Sequence, residues 1–273
     1  MQLSPGEFDR LVKYIKEKVG IHMGKEKKVL LEGRLSMVVQ QRGYSNYSEY
    51  LDALNQDKTG EMHRQFVERI TTNHTFFLRE KDHFDFVRQR MLPDLKTWLK
   101  SKDIRGWSAG CSSGEEPYTL AMTFSDALGI DRNSWNVQLL ATDISNKILL
   151  KASSGIYEAD QVADIPQEWL RRYFHKPDEN GQYQITHQIK DMILFRSFNL
   201  MNPFPFKKKF HFIFCRNVMI YFDEPTRQTL VKKYFDALEP GGYFFISHSE
   251  TLGRNLQGFE YISPSIYRKP QLM

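Results

Sequence analysis

Two adjacent acids, Glu115 and Glu116, stand directly behind a loop of small residues, Gly110-Cys111-Ser112-Ser113-Gly114, and directly before Pro117. The apolar segment Ile104–Ala109 that feeds the loop reads as a strand, and Pro117 reads as the first turn of a helix. Strand, small-residue loop, acid and helix N-terminus, in that order, form the nucleotide-binding corner of an open α/β sheet. Small residues let backbone approach a ligand closely, and such sheets bind at the carboxyl ends of their strands. Alone, the loop is equally compatible with an ordinary turn that ends a strand. A further acid, Asp143, follows the strand expected over Asn136–Ala141, at the place where a ribose is gripped in such folds. The G-x-x-x-G spacing is not the G-x-G-x-x-G fingerprint, which counts against an NAD enzyme.

Other polar residues could join this corner. Thr71 to Glu80 reads T-T-N-H-T-F-F-L-R-E. Asparagine and threonine compete for backbone hydrogen bonds and disfavour a helix interior, so the chain is expected to turn here. Asn73, Thr75 and Arg79 are then placed to hydrogen-bond, with Phe76 and Phe77 wedged against a neighbour; a plain interdomain linker is the alternative. Lys25, Lys27, Lys28, Arg34 and Arg42 cluster around the second helix with few acids. They make either a solvated helix face or a docking face for an acidic partner. The eight histidines are scattered, and of them only His248 lies near an expected strand end. Cys111 and Cys215 form neither a disulfide framework nor a zinc set, and no metal is expected. No P-loop or Ser-His-Asp order appears.

The elements that must position these residues fall into two styles. To about Thr72 the pattern is all helix. Pro5–Lys18 carries Phe8, Leu11, Val12, Ile15 and Val19 on one face, and Glu26–Gln41 repeats the pattern with Val29, Leu30, Gly33, Leu35, Met37 and Val38. Further helices are expected through Tyr50–Leu54 and over Gly60–Thr71. A long helix follows from Lys81 to about Leu99, with Pro93 a candidate kink. Beyond it strands and helices alternate, which predicts a parallel sheet with helices on both faces. Gln182–Thr186 and Met192–Phe195 read as short strands of a small β insertion. Arg196–Leu200, Phe210–Phe214, Tyr243–Ser247 and Tyr261–Arg268 read as further strands, with a tight turn at Gly241-Gly242.

Bulk properties are those of an ordinary soluble globular protein. The 273 residues are 41% hydrophobic and 26% charged. No apolar run approaches a membrane span, no secretory leader is expected at the start, and two lone cysteines fit a reducing cytosol. A net charge of +5 and a pI near 9.0 favour an acidic partner.

Five segments, taken together and in order, carry a resemblance: T-T-N-H-T-F-F-L-R, S-A-G-C-S-S-G-E-E-P-Y, A-T-D-I, F-N-L and F-C-R-N-V-M-I-Y-F. With them the chain resembles the chemotaxis receptor methyltransferases of the CheR family over nearly its whole length. R-N-V-M-I-Y-F and G-E-E-P-Y are the specific pieces. The resemblance implies an α/β fold: a class I (Rossmann-like) S-adenosylmethionine-dependent methyltransferase domain with a small antiparallel β insertion, preceded by an all-α N-terminal domain. It divides the chain into a helical receptor-docking domain (1–75), a linker and connecting helix (76–100) and the methyltransferase domain (101–273), with its β subdomain at about 176–195.

The resemblance also implies the chemistry. A methyl group would pass from S-adenosylmethionine to glutamate side chains of a membrane chemoreceptor, giving glutamyl 5-methyl esters and S-adenosylhomocysteine, in the cytoplasm at receptor arrays. Asn73, Thr75 and Arg79 would touch the cofactor. One of Glu115 and Glu116, with Glu116 preferred, would hold it, and Asp143 would bind its sugar. Asn199, Leu200, Asn217 and Val218 would flank the adenine, and Arg79 and Tyr221 would sit nearest the methyl. Lys27, Lys28, Arg34 and Arg42 would dock the receptor; the family's β subdomain can hold a receptor C-terminal tail peptide, and whether this one does stays open. The family's arginine cluster is thinned here, because Met37, Val38, Val39, Gln40 and Gln41 fill much of that stretch. Two other readings stay open. Asn202-Pro203-Phe204-Pro205 echoes the N-P-P-aromatic corner of enzymes that methylate amino groups on bases, which with the basic charge leaves a nucleic-acid or amino-group methyltransferase; the lack of a clustered basic groove opposes it and predicts no nucleic-acid partner. A non-catalytic cofactor-binding module is the other.

Overall fold

The chain opens with four helices, α1 (Pro5–Val19), α2 (Lys28–Gln41), α3 (Tyr47–Gln56) and α4 (Glu61–Ile70). The computed structural model describes residues 1–253 and 256–271. At the start of α1 the Ser4 hydroxyl accepts from Glu7 N, and the Glu7 carboxylate accepts from Ser4 N at 2.9 Å, a reciprocal cap that satisfies two orphan donors. Leu11 and Ile15 of α1, Leu31 and Leu35 of α2, Tyr50 of α3 and Phe66 of α4 share one buried cluster. The face expected for α2 needs correction. Val29, Leu30 and Met37 are exposed, and the buried residues are Leu31, Leu35, Val38 and Val39. This helix is apolar on two sides, so periodicity alone could not tell which side meets its neighbours.

The connecting helix does not break at Pro93. It runs as α5 (Lys81–Phe86), a π-helical turn (Val87–Met91) and α6 (Leu92–Trp98). Proline falls in the first turn of α6, where the wider π turn accommodates its missing N–H. Phe84, Val87, Met91 and Leu95 join the core of the sheet that follows.

That sheet is assembled from β1 (Asp103–Ala109), α7 (Glu115–Leu128), β2 (Asn136–Asp143), α8 (Asn146–Ser154), β3 (Ile156–Tyr157), α9 (Gln167–Tyr173), β4 (Tyr183–Gln184), α10 (His187–Lys190), β5 (Ile193–Ser197), β6 (Phe210–Phe214), α11 (Glu224–Ala237), β7 (Leu238–Phe245), β8 (Glu260–Ser263) and β9 (Ile266–Arg268). Its order is β5-β2-β1-β6-β7-β9-β8. The first five strands in that order are parallel, and β9 and β8 add antiparallel. The chain moves outward from β1 first to one side and then to the other, so the ligand crevice of such a sheet lies at the carboxyl ends of β1, β2 and β6.

Three strand expectations are corrected. Met192–Phe195 is not part of a β insertion: β5 pairs parallel with Leu139–Asp143 as the edge of the main sheet, and Arg196 and Ser197 end it instead of opening a new strand. The insertion's sheet is β4 against β3. Gly241-Gly242 lies inside β7, beside a register shift against β6. Residues 261–268 form a hairpin, turned at Ser265 with φ 63°.

Beneath the sheet, Trp107 is fully buried against Phe204, Phe206, Phe210 and Tyr234, and its indole N–H donates to Thr142 Oγ1 at 2.9 Å. Phe204 of the Asn-Pro-Phe-Pro segment therefore packs the core, with its ring 5.0 Å from Trp107.

Gly106 in β1 offers a test of this packing. A Cβ there would lie 2.1 Å from the ring of buried Phe212. Gly106→Ala should cost about 1–3 kcal/mol by overpacking, whereas Gly33→Ala, with open space around it on α2, should stabilise by about 0.5–1 kcal/mol. Urea unfolding of both variants checks the contrast in sign.

Candidate functional site

A cavity of about 360 Å³ opens at the carboxyl ends of β1, β2 and β6, between the sheet and the N-terminal helices. The sheet supplies Gly110, Cys111, Ser112, Glu116, Asp143, Asn217 and Val218, and the opposite wall is formed by Thr71–Phe76 and Arg79. Polar contacts and a bridge between Ile21 and Phe222 help hold the helical part against the sheet domain. His22 N donates to Tyr221 O at 2.8 Å, Asn199 Nδ2 donates to Lys18 O at 2.7 Å, and Lys16 Nζ meets Asp223 Oδ2 at 2.5 Å.

Arg216 is the centre of the wall. It follows β6, whose five residues are all buried, and its own side chain is 2% exposed. Its Nε donates to Glu80 Oε2 at 3.2 Å, its Nη1 to Glu116 Oε2 at 3.1 Å and its Nη2 to the backbone oxygen of Arg79. The guanidinium also lies over the rings of Phe84 and Phe214. Glu116 Oε1 accepts from Ser108 Oγ at 2.7 Å. Burial pushes the Glu116 carboxyl above its ordinary pKa, and the Arg216 charge opposes that shift. An arginine that ties the 79–80 backbone to helix α7 fixes the distance between the two walls.

Asp143 is equally constrained. Its Oδ2 accepts from Ser112 N and its Oδ1 from Ser145 N, each at 3.0 Å. Burial raises its pKa, and those backbone donors oppose the shift. Ser112 Oγ in turn donates to Asn73 O at 3.0 Å, which links the small-residue loop to the interdomain stretch. The loop can pass this close because Gly110 has φ 87° and no side chain; a Cβ there would meet Val218 Cγ2 at 2.4 Å. Across the crevice Asn217, at φ 58°, donates its N–H to Glu250 Oε2, and Glu250 Oε1 accepts from Ile220 N, both at 3.1 Å.

Of the expected cofactor residues, Asn73, Thr75, Arg79, Glu116, Asp143, Asn199, Leu200, Asn217 and Val218 line this one cavity, as does Tyr221. Glu115 does not. It is 1% exposed and both its oxygens accept from Ser113 Oγ. Neighbouring helix positions are about 100° apart, and here that offset turns Glu115 onto Ser113 and Glu116 to the cavity. Among the expected docking residues, Lys27 and Arg34 line the cavity and Lys28 and Arg42 do not. Arg34 is committed to Ile70 O and Thr72 Oγ1, and Arg42 to Gln65 Oε1. Arg34 thus braces the interdomain stretch.

Arg216, Glu80, Ser112 and Glu250 carry structural roles that the sequence reading did not assign. For Arg216 a signal existed: an arginine directly behind a continuous apolar strand must find buried carboxylates. Glu80 offered none, because its partner lies 136 residues away. Among the described residues, Arg79 has no carboxylate partner. Its Nη1 donates to His74 O at 3.0 Å and its guanidinium lies over Phe76. The Tyr221 hydroxyl likewise has no hydrogen-bond partner among the described residues. The Arg79 guanidinium without a carboxylate and the Tyr221 hydroxyl therefore line the cavity, while the deeper charges are paired.

The donor set suits S-adenosylmethionine. Fixed carboxylates match a sugar's hydroxyls and a cationic group, and an open glycine loop leaves room for backbone contact. Comparisons with known proteins agree. Residues 6–71 match the family model of the CheR methyltransferase all-alpha domain, and residues 73–267 that of the CheR methyltransferase SAM binding domain. The chain is 40% identical to a chemotaxis protein methyltransferase of Borreliella burgdorferi over 98% of this chain and 96% of that one. It is 34% identical to a probable chemotaxis protein methyltransferase of Rhizobium etli, covering 91% and 94%, and 32% identical to the chemotaxis protein methyltransferase of Escherichia coli, covering 98% and 92%. Both parts of the crevice, helical and sheet-borne, thus fall within matched domains, and the chain belongs to the CheR methyltransferase family.

Proposed function

We propose that this protein transfers the methyl group of S-adenosylmethionine to glutamate side chains of a membrane chemoreceptor, giving glutamyl 5-methyl esters and S-adenosylhomocysteine. The observation that carries the reading is the division of charge in the cavity. Half-buried Glu116 and buried Asp143 are held fixed at the strand ends, while Arg79, without a carboxylate partner, and Tyr221 line the same space. The relatives' name, chemotaxis protein methyltransferase, supports a receptor as acceptor.

Asp143, with both oxygens oriented by backbone N–H groups, would accept from sugar hydroxyls. Glu116 would face the donor's cationic end. Asn73 and Thr75 would contact the donor from the interdomain stretch, and Asn199, Leu200, Asn217 and Val218 would flank the base. When bound, S-adenosylmethionine supplies a methyl group already activated by its sulfonium. A glutamate carboxylate, with a pKa of about 4.3, is ionised at pH 7, so the transfer needs no general base and no metal. What remains for the chain is alignment and removal of water, which can supply several kcal/mol. Arg79 would pair with the acceptor carboxylate and Tyr221 would hydrogen-bond beside the methyl. A tighter arginine grip would stabilise the ground state and slow the transfer. Exposed Lys27 at the rim, together with half-buried Lys28 and the exposed apolar Val29, Leu30 and Met37 of α2, gives an acidic helical partner a surface beside the cavity mouth.

Incubation with methyl-labelled donor and chemoreceptor-containing membranes, followed by alkali, tests the reaction class. The expected result is volatile methanol. Alkali-stable label would place the methyl on nitrogen and contradict the proposal. Arg79→Ala should lower turnover about a hundredfold, the scale of one lost positioning contact, while calorimetry finds donor affinity within about threefold of the parent. Equal losses in both would make Arg79 a donor-binding residue only.

The two buried carboxylates also set a pH dependence. Their raised pKa values mean that, as pH falls, these carboxyls take up protons at a higher pH than ordinary carboxylates do. A cationic donor binds the ionised forms, so its affinity should weaken on acidification and binding should release protons. Calorimetry in buffers of different ionisation enthalpy reads that release, and a pH-independent affinity would contradict it.

A further inference from the structure

On the far side of Arg216 from Glu116 lies a second cluster that methyl transfer does not use. His83, on α5, is fully buried between Phe214 and Phe245, and neither of its ring nitrogens has a hydrogen-bond partner among the described residues. Glu80 Oε2 lies 3.5 Å from its Nδ1 without the alignment of a hydrogen bond. His248, just past β7, sets its ring edge-on to His83 with centroids 4.9 Å apart. One ligand atom each from Glu80, His83 and His248 fall within 4.8 Å of one another. A buried imidazole left without partners costs free energy unless something satisfies it.

We propose that Glu80, His83 and His248 form a binding site for a divalent transition-metal cation of the zinc class. Two imidazoles and a carboxylate are the ligands such ions prefer, and three protein ligands leave a position for water. Asp82 Oδ2 lies 2.9 Å from His248 Nε2. That is the carboxylate pairing that orients a ligating imidazole whose other nitrogen takes the metal. Two carboxylates border the site, Glu80 beside His83 and Asp82 beside His248, against the single guanidinium of Arg216. His248 is 45% exposed and gives the ion an entry path. Glu80 Oε2 also accepts from Arg216, so an ion here would compete with Arg216 for the oxygen that fixes the cavity wall.

The test is a titration of the full chain, freed of metal by chelator, with zinc chloride, alongside His248→Ala and Asp82→Asn. The expected result is one zinc per chain in the parent, an affinity lowered roughly ten- to a hundredfold in Asp82→Asn and loss of the site in His248→Ala. Zinc should also raise the melting temperature of the parent but not of His248→Ala. Because His248 lies at the surface, matched melting of the two proteins without zinc shows that the variant is folded. Zinc bound equally by parent and His248→Ala would place the ion at another histidine and overturn the assignment, as would no zinc binding by the parent.

Discussion

A guanidinium withdrawn from water requires partners, and the partners Arg216 takes decide the shape of the crevice. It engages Glu80 and the Arg79 backbone on one wall and Glu116 on the other. An isolated charge at 2% exposure is not sustainable, so the two walls must meet there for the chain to fold. Removing one partner of such a buried network costs about 3–5 kcal/mol, because the remaining charge is left uncompensated. The geometry that the cavity needs is thereby coupled to global stability.

The consequences run in both directions along the chain. Arg216 fixes the 79–80 backbone, and Ser112 Oγ fixes Asn73 O six residues earlier. The interdomain stretch is therefore pinned at two points, with Thr75 and Arg79 projecting between sheet and helices. Arg34 adds a third tie through Ile70 O and Thr72 Oγ1. Charges that hold the scaffold are paired and buried, and those left for a reacting partner sit where the wall opens. Pre-organisation of this kind is what an alignment-limited transfer requires, because the reacting groups supply their own activation.

Much of this site was legible in the amino-acid order because its signals are local. A small-residue loop behind an apolar strand, an acid behind the next strand and a polar run between aromatics each announce their place within about ten residues. What escaped was set by contacts at long range or by ambiguous exposure. Glu80 and Arg216 meet across 136 residues. The β5 edge strand is half-exposed and short, so Met192–Phe195 looked like part of an insertion until its pairing with β2 placed it in the main sheet. The last hairpin turns on Ser265 at positive φ, a position where no glycine advertises the turn. On α2 an apolar stripe remains outside the core, and period alone assigns such a stripe inward. Glu115 and Glu116 are adjacent in order, with Glu116 the preferred acid, and the structure separates them by turning Glu115 onto Ser113.

A double-mutant cycle on Arg216 and Glu80 tests the dependence most directly. Arg216→Met, Glu80→Gln and the pair would be compared by urea unfolding, without ligand and without metal. If the buried pair ties the walls together, each single change is costly and the double variant loses clearly less than the sum, with a coupling of about 1–3 kcal/mol. Losses that add to within about 0.5 kcal/mol would mean that the two side chains stabilise the protein independently, and that the crevice owes its shape to something other than Arg216.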